Sequence, residues 1–203
     1  GVLVYANDYD GTIVPSVFEP SGWSDLSTAR TWRKMIFPYV RNVALYTCPA
    51  RPKAGAKWGA YDPTKYPNAD IPATYGINYD VAGSFGVEWP KDLRKISQYS
   101  RPSRLILVCE TTGIMYPYFD LMETTPMLTA LEGYWPHWHN GKLNVSFVDG
   151  HVRTMYLRDT LGKDGATQLW YPLDLTNGRF NTAQVNVKIR TYLQNWPKKY
   201  PPN

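Results

Sequence analysis

Cysteine is scarce: the 203 residues include two, Cys48 and Cys109. Two are too few for a disulfide scaffold. Cys48 precedes Pro49 in a loop context and Cys109 ends an apolar run. The pair reads either as two buried thiols or as the single bridge of an exported domain, and sequence spacing does not choose between them. Long apolar runs are missing, and nothing approaches the roughly 20 residues that a membrane-spanning helix needs. The net charge is +5, but the basic residues are scattered and nowhere run beyond a pair, as at Lys198-Lys199. There is therefore no Lys/Arg stripe of the kind a nucleic-acid partner requires. No glycine loop can cradle a phosphate, and no Ser or Cys sits in a nucleophile elbow. Histidine is rare, and all three lie in one short span as His137, His139 and His151. Aromatic residues are abundant, at 15% with 8 Trp and 16 Tyr. Such rings combine an apolar body with a polar tip, which suits the core and rim of a thin sheet domain or a binding surface.

The most informative stretch is His139-Asn140-Gly141-Lys142-Leu143-Asn144-Val145-Ser146-Phe147-Val148-Asp149-Gly150-His151-Val152. Leu143, Val145 and Phe147 alternate with Asn144 and Ser146, the period of a half-buried strand. Asp149-Gly150 suits a two-residue type I′ turn, which needs positive φ at both central residues. That turn pairs Val148 with His151 and Phe147 with Val152. One face then carries Leu143, Val145, Phe147, Val152, Thr154 and Tyr156, and it should be the core face.

A histidine, nine residues and then Asp-Gly, here His139 and Asp149-Gly150, resembles the C-terminal signature of bacterial pseudopilin-like proteins that have a prepilin-type leader and an H-x9-DG domain. Tyr5-Ala6-Asn7-Asp8-Tyr9-Asp10-Gly11 followed by Pro15 is similar to the segment that closes the family's long N-terminal helix. Three further matches follow in family order: Tyr46-Thr47-Cys48-Pro49, Tyr75-Gly76-Ile77-Asn78-Tyr79, and Arg101-Pro102-Ser103 leading into Leu105-Ile106-Leu107-Val108. The family often has an aspartate after that apolar strand; this chain offers Glu110. The resemblance implies an antiparallel sheet packed on an N-terminal helix with long loop insertions, an α+β fold. It implies that Gly1 to Ala6 are the last turns of a helix whose anchoring part is missing. It also implies other pseudopilin-like subunits and the inner membrane as partners, and a place in the bacterial cell envelope, periplasmic or at the cell surface, within a type II secretion or type IV pilus-like assembly. No catalysis and no cofactor are implied.

The chain reads as one domain over residues 1–203, with 1–10 as a helix end and 197–203 as a loose tail. A helix is expected from Ser27, a plausible N-cap, to Ile36. Strands are expected at Val43–Tyr46, Tyr75–Tyr79 and Leu105–Cys109, and a helical turn at Asp92–Ile96. Residues 49–73, with five prolines, read as a long surface loop. Residues 182–196 fit either a strand or, better, a helix face.

Several constellations can carry chemistry. His137, His139, Asp149 and His151 together offer a zinc-type ligand set, although His139 bonded to Asp149 or to backbone at the turn would serve structure alone. Asp8 and Asp10 precede Gly11 as in a calcium loop, but they lack the later oxygen ligands and more simply end a helix. Trp23, Trp58, Tyr61, Tyr66, Trp89, Trp135, Trp138 and Trp170 lie in loop-like segments, where chains run over the surface. Trp58, Trp135, Trp138 and Trp170 are therefore the candidate ligand-binding residues of an alternative reading, a surface polysaccharide-binding protein. A third reading is a polysaccharide-active hydrolase, drawing on Asp120, Glu123, Glu132 or Asp149 near Trp135, but spacing selects no carboxylate pair.

Overall fold

The computed structural model describes residues 1–19, 30–50, 74–83, 85–86, 93–111, 139–162 and 169–170. In chain order these form helix α1 (Val2–Asp8), strands β1 (Val17–Glu19) and β2 (Arg30–Thr31), helix α2 (Trp32–Val40), strand β3 (Tyr75–Ile77) and the short helix α3 (Tyr79–Ala82). Strands β4 (Phe85–Gly86), β5 (Ile106–Glu110), β6 (Lys142–Phe147) and β7 (Val152–Tyr156) follow, then the helical turn α4 (Leu157–Thr160). Helices and a four-stranded antiparallel sheet, ordered β3-β5-β6-β7, make the fold α+β. A second sheet is ordered β2-β1-β4. Among the described residues, no helix is long and apolar enough to cross a membrane.

Strand β5 is interior to the larger sheet because its sequence is apolar on both faces. Ile106, Leu107 and Cys109 are all buried. On one side Ile77 and Leu107 join Ile13, Val14, Tyr46 and the α2 residues Trp32 and Ile36 in a single core. Trp32 and Ile36 are four apart and so share a helix face. The helix starts at Trp32 rather than near residue 27, because the Thr31 hydroxyl accepts from the Lys34 N–H and caps it. Ser27 lies outside the described residues. Of the expected packing of the sheet on the N-terminal helix, α1 adds partly buried Val2 and Tyr5 to this core, whose buried helix residues come from α2 (Trp32, Ile36) and α3 (Val81, Ala82). Helix α1 does stop at the predicted place. Asp10 and Gly11 take positive φ, and the Gly11 N–H returns to the Ala6 carbonyl.

Val43–Tyr46 is a 3-10 turn and not a strand. The Asn42 side chain accepts from the Ala44 N–H and closes the backbone locally, which outcompetes strand pairing. Of the turn expected over Asp92–Ile96, Asp92 lies outside the described residues and residues 93–95 are not helical; a 3-10 turn runs instead over Ile96–Gln98. The segment 182–196, the tail 197–203 and the loop 51–73 lie outside the described residues.

The hairpin exists, but its register differs from expectation by one residue. Val145 faces Arg153, Ser146 faces Val152 and Lys142 faces Tyr156. Phe147 and Val152 are thus on opposite faces, and this removes the register that lent the hairpin much of its weight in the family argument. Leu143, Val145 and Phe147 are buried, whereas Val152, Thr154 and Tyr156 are exposed. The cause is a three-residue loop, Val148-Asp149-Gly150. The Gly150 N–H donates to the Phe147 carbonyl, and the Phe147 N–H donates to the His151 carbonyl, each at 2.9 Å. Gly150 alone takes positive φ, the pattern of a turn followed by a bulge residue. The two-residue turn with positive φ at both centres lies elsewhere, at Asn140-Gly141, where the Lys142 N–H donates to the His139 carbonyl.

Candidate functional site

The Asn140-Gly141 turn folds His139 back against the first residue of β6 and so fixes where its ring goes. The ring meets Glu110, the last residue of β5, with Nε2 at 2.8 Å from Oε1. The same Nε2 lies 3.3 Å from the Sγ of Cys48. Cys48 is brought there by Thr74, whose hydroxyl accepts from the Cys48 N–H. Thr74 also donates its N–H to the Tyr46 carbonyl and accepts from the Thr111 N–H, tying the Cys48 segment to the ends of β3 and β5. The three ligand-type atoms lie within 4.8 Å of one another.

Cys48 and Glu110 are buried, and the His139 side chain is 29% exposed, so among these three residues the imidazole is the one that meets solvent. Glu110 is a carboxylate with no solvent contact, and such a group requires partners. Besides His139, it accepts from the Asn144 N–H at 2.7 Å and from the Asn144 side-chain amide at 3.2 Å. Asn144 is itself held by the Thr154 hydroxyl at 2.7 Å. Tyr75, paired with Glu110 across the strands, adjoins the cluster. Burial, then the charge of Glu110 and the proximity of Cys48, push its hydroxyl up to about 12. Burial and a hydrogen bond with Glu110 likewise push the Cys48 thiol above its ordinary value.

The geometry is not that of a cysteine nucleophile. A relay places the thiol and the orienting carboxylate on opposite ring nitrogens, whereas here both converge on Nε2. A buried thiol with a raised pKa is also poorly activated. Convergence of S, N and O donors on one point is instead the arrangement of a metal-ligand set.

The other candidates are dispersed. His139 does not bond Asp149. Asp149 pairs with His151 at the hairpin tip, Oδ1 to Nδ1 at 2.6 Å, and the His151 ring stacks on Phe147 at 4.1 Å between centroids. Partial desolvation raises the Asp149 carboxyl, but the His151 ring and N–H outweigh it and leave the group below its ordinary value. The expected set of His139, Asp149 and His151 is therefore split between two sites, and His137 lies outside the described residues. Asp10 pairs with Lys95, and Asp8 lies near the Tyr39 hydroxyl, whose pKa it helps to raise, so the two carboxylates face different partners and do not form a calcium loop.

Trp170 is corrected from surface ligand residue to core. It is 2% exposed, and its indole N–H donates to the Thr160 hydroxyl at 2.7 Å. A large ring with one satisfied polar atom is stable inside, which loop-like composition cannot reveal. Trp58, Trp135 and Trp138, with Trp23, Tyr61, Tyr66 and Trp89, lie outside the described residues, as do Asp120, Glu123 and Glu132. Both cysteines are free and buried. Cys109 precedes Glu110 on the strand and so points to the opposite face, away from Cys48.

Sequence reasoning missed Cys48 and Glu110 as members of one site. A signal was present, since Cys48, Tyr75, Glu110 and His139 each stand in or beside a different matched motif. Comparison of the chain with protein-family models, with curated proteins and with solved structures returns no match.

Proposed function

We propose that this chain is the head of a non-catalytic, pseudopilin-like subunit of a cell-envelope assembly, joined to its neighbours through α1. The observation that carries this reading is the character of α1. Its residues 2–6 are apolar all round, Val2-Leu3-Val4-Tyr5-Ala6, whereas a helix bordering water normally keeps a polar outer face. One side is docked: Ala6 is buried, Tyr5 meets Tyr39 of α2 edge-on at 6.0 Å, and Leu3 reaches the Gly150 tip of the hairpin. The other side exposes Val4 at 54%, and Leu3, at the edge of the docked side, is still 40% exposed. A neighbouring apolar helix is the occupant that such a side fits, and the ordered motif matches supply the family context.

The test is in-cell crosslinking of the full-length protein carrying Leu3→Cys or Val4→Cys. The native thiols are buried and give little background. Mild oxidation should produce dimers in the membrane fraction. Monomer alone from both variants, in cells where the protein is correctly localised, refutes the assembly reading.

A further inference from the structure

We infer that Cys48 Sγ, Glu110 Oε1 and His139 Nε2 form a binding site for a divalent transition ion of the zinc class. This goes beyond the assembly reading and does not depend on it.

The donor set is the first argument. A thiolate, an imidazole and a carboxylate suit zinc, which takes all three, and they do not suit calcium or magnesium, which prefer oxygen alone. The second argument is valence. A ring nitrogen carries one hydrogen or one lone pair, yet Nε2 has both Sγ at 3.3 Å and Oε1 at 2.8 Å. The Cys48 thiol also bonds Glu110, so all three donor atoms face one another, and a cation between them would serve them together.

The third argument is distance. Tetrahedral zinc with Zn–S of about 2.3 Å and Zn–N and Zn–O of about 2.1 Å separates S from N by about 3.6 Å and N from O by about 3.4 Å. The observed separations are shorter by about 0.3 Å for S–N and about 0.6 Å for N–O, so the ring of the partly exposed His139 must shift outward to admit the ion. The supporting shell is already built. Asn144 fixes Glu110 through two bonds, and Thr74 fixes the Cys48 backbone. Binding releases the Cys48 proton to solvent, and a water completes the coordination.

The ion would join chain segments that are distant in sequence, with His139 lying 91 residues from Cys48 and 29 from Glu110. Binding to the folded state alone then raises thermal stability.

The experiment begins with elemental analysis of the purified protein, followed by chelation and titration with Zn²⁺ and with Co²⁺. We expect about one equivalent of zinc, a Tm that falls on chelation and returns with Zn²⁺, and a thiolate-to-cobalt charge-transfer band in the near ultraviolet. The band should survive Cys109→Ser and disappear in Cys48→Ser and His139→Ala. If those two variants fail to fold, the cobalt spectrum of the otherwise unaltered Cys109→Ser protein still decides, because Cys48 is its only thiol. A spectrum without the thiolate band there, or a Tm indifferent to Zn²⁺ after chelation, overturns the site and leaves a hydrogen-bonded structural cluster. Crosslinking at Leu3 and Val4 reads neither quantity, so the two readings fail separately.

Discussion

Replacing Gly150 with alanine tests the junction between the hairpin tip and α1. Two costs are expected. Gly150 has φ +93°, a conformation that costs an L-residue roughly 1–2 kcal/mol. An alanine Cβ would also stand 2.5 Å from Leu3 Cδ1, so Leu3 must move. That atom ends a flexible, 40% exposed side chain, and an off-rotamer shift costs about 0.5–1.5 kcal/mol. Loss of glycine's freedom in the unfolded chain offsets about 0.4–1 kcal/mol. The net is a destabilisation centred on about 2 kcal/mol, and about 1–2 kcal/mol where Leu3 moves easily. For a chain of this size each kcal/mol moves Tm by about 2–4 °C, so thermal unfolding followed by circular dichroism should shift down by about 2–8 °C. The Leu3→Ala background separates the two costs, because it removes the contact and leaves the backbone strain. Gly150→Ala should therefore cost less there than in the parent. A Tm within about 1 °C of the parent would refute both the positive φ and the close approach of α1. An undiminished cost in the Leu3→Ala background would refute the contact alone.

Asn78 is 2% exposed, and its amide donates to the Ile106 carbonyl at 2.9 Å and to the Trp170 carbonyl at 2.8 Å, while its oxygen accepts from the Asp80 N–H. Asn78→Ala leaves two buried carbonyls short of a partner, so chemical denaturation should show a loss of about 2–4 kcal/mol, and a loss below about 1 kcal/mol would contradict the buried bridge. Trp170→Ala empties a core position and should cost about 3–5 kcal/mol. Trp170→Phe, which chiefly drops the bond to Thr160, should cost less than half of that by the same denaturation assay. Equal effects of the two substitutions would show that the ring is not packed.

By itself the sequence determined what local chemistry controls. The end of α1 at Asp10-Gly11, the buried strand after Leu105 and the alternation of Leu143, Val145 and Phe147 follow from turn preferences and periodicity, which act between near neighbours. Tertiary structure decided the rest. Register at Asp149-Gly150 depended on whether one or two residues of the turn take positive φ, and the dipeptide permits both; the packing of Leu3 against Gly150 and of His151 on Phe147 selects the bulged form. Whether a tryptophan in a loop faces water depended on a partner for its N–H, and Thr160 supplies one for Trp170. The buried helix residues beside the sheet proved to come from α2 and α3, with Trp32, Ile36, Val81 and Ala82 in one core with Ile77 and Leu107. The Cys48–Glu110–His139 cluster was beyond spacing altogether. Its members come from a loop, a strand end and a turn, and only the pairing of β3 with β5 and of β5 with β6 brings them together.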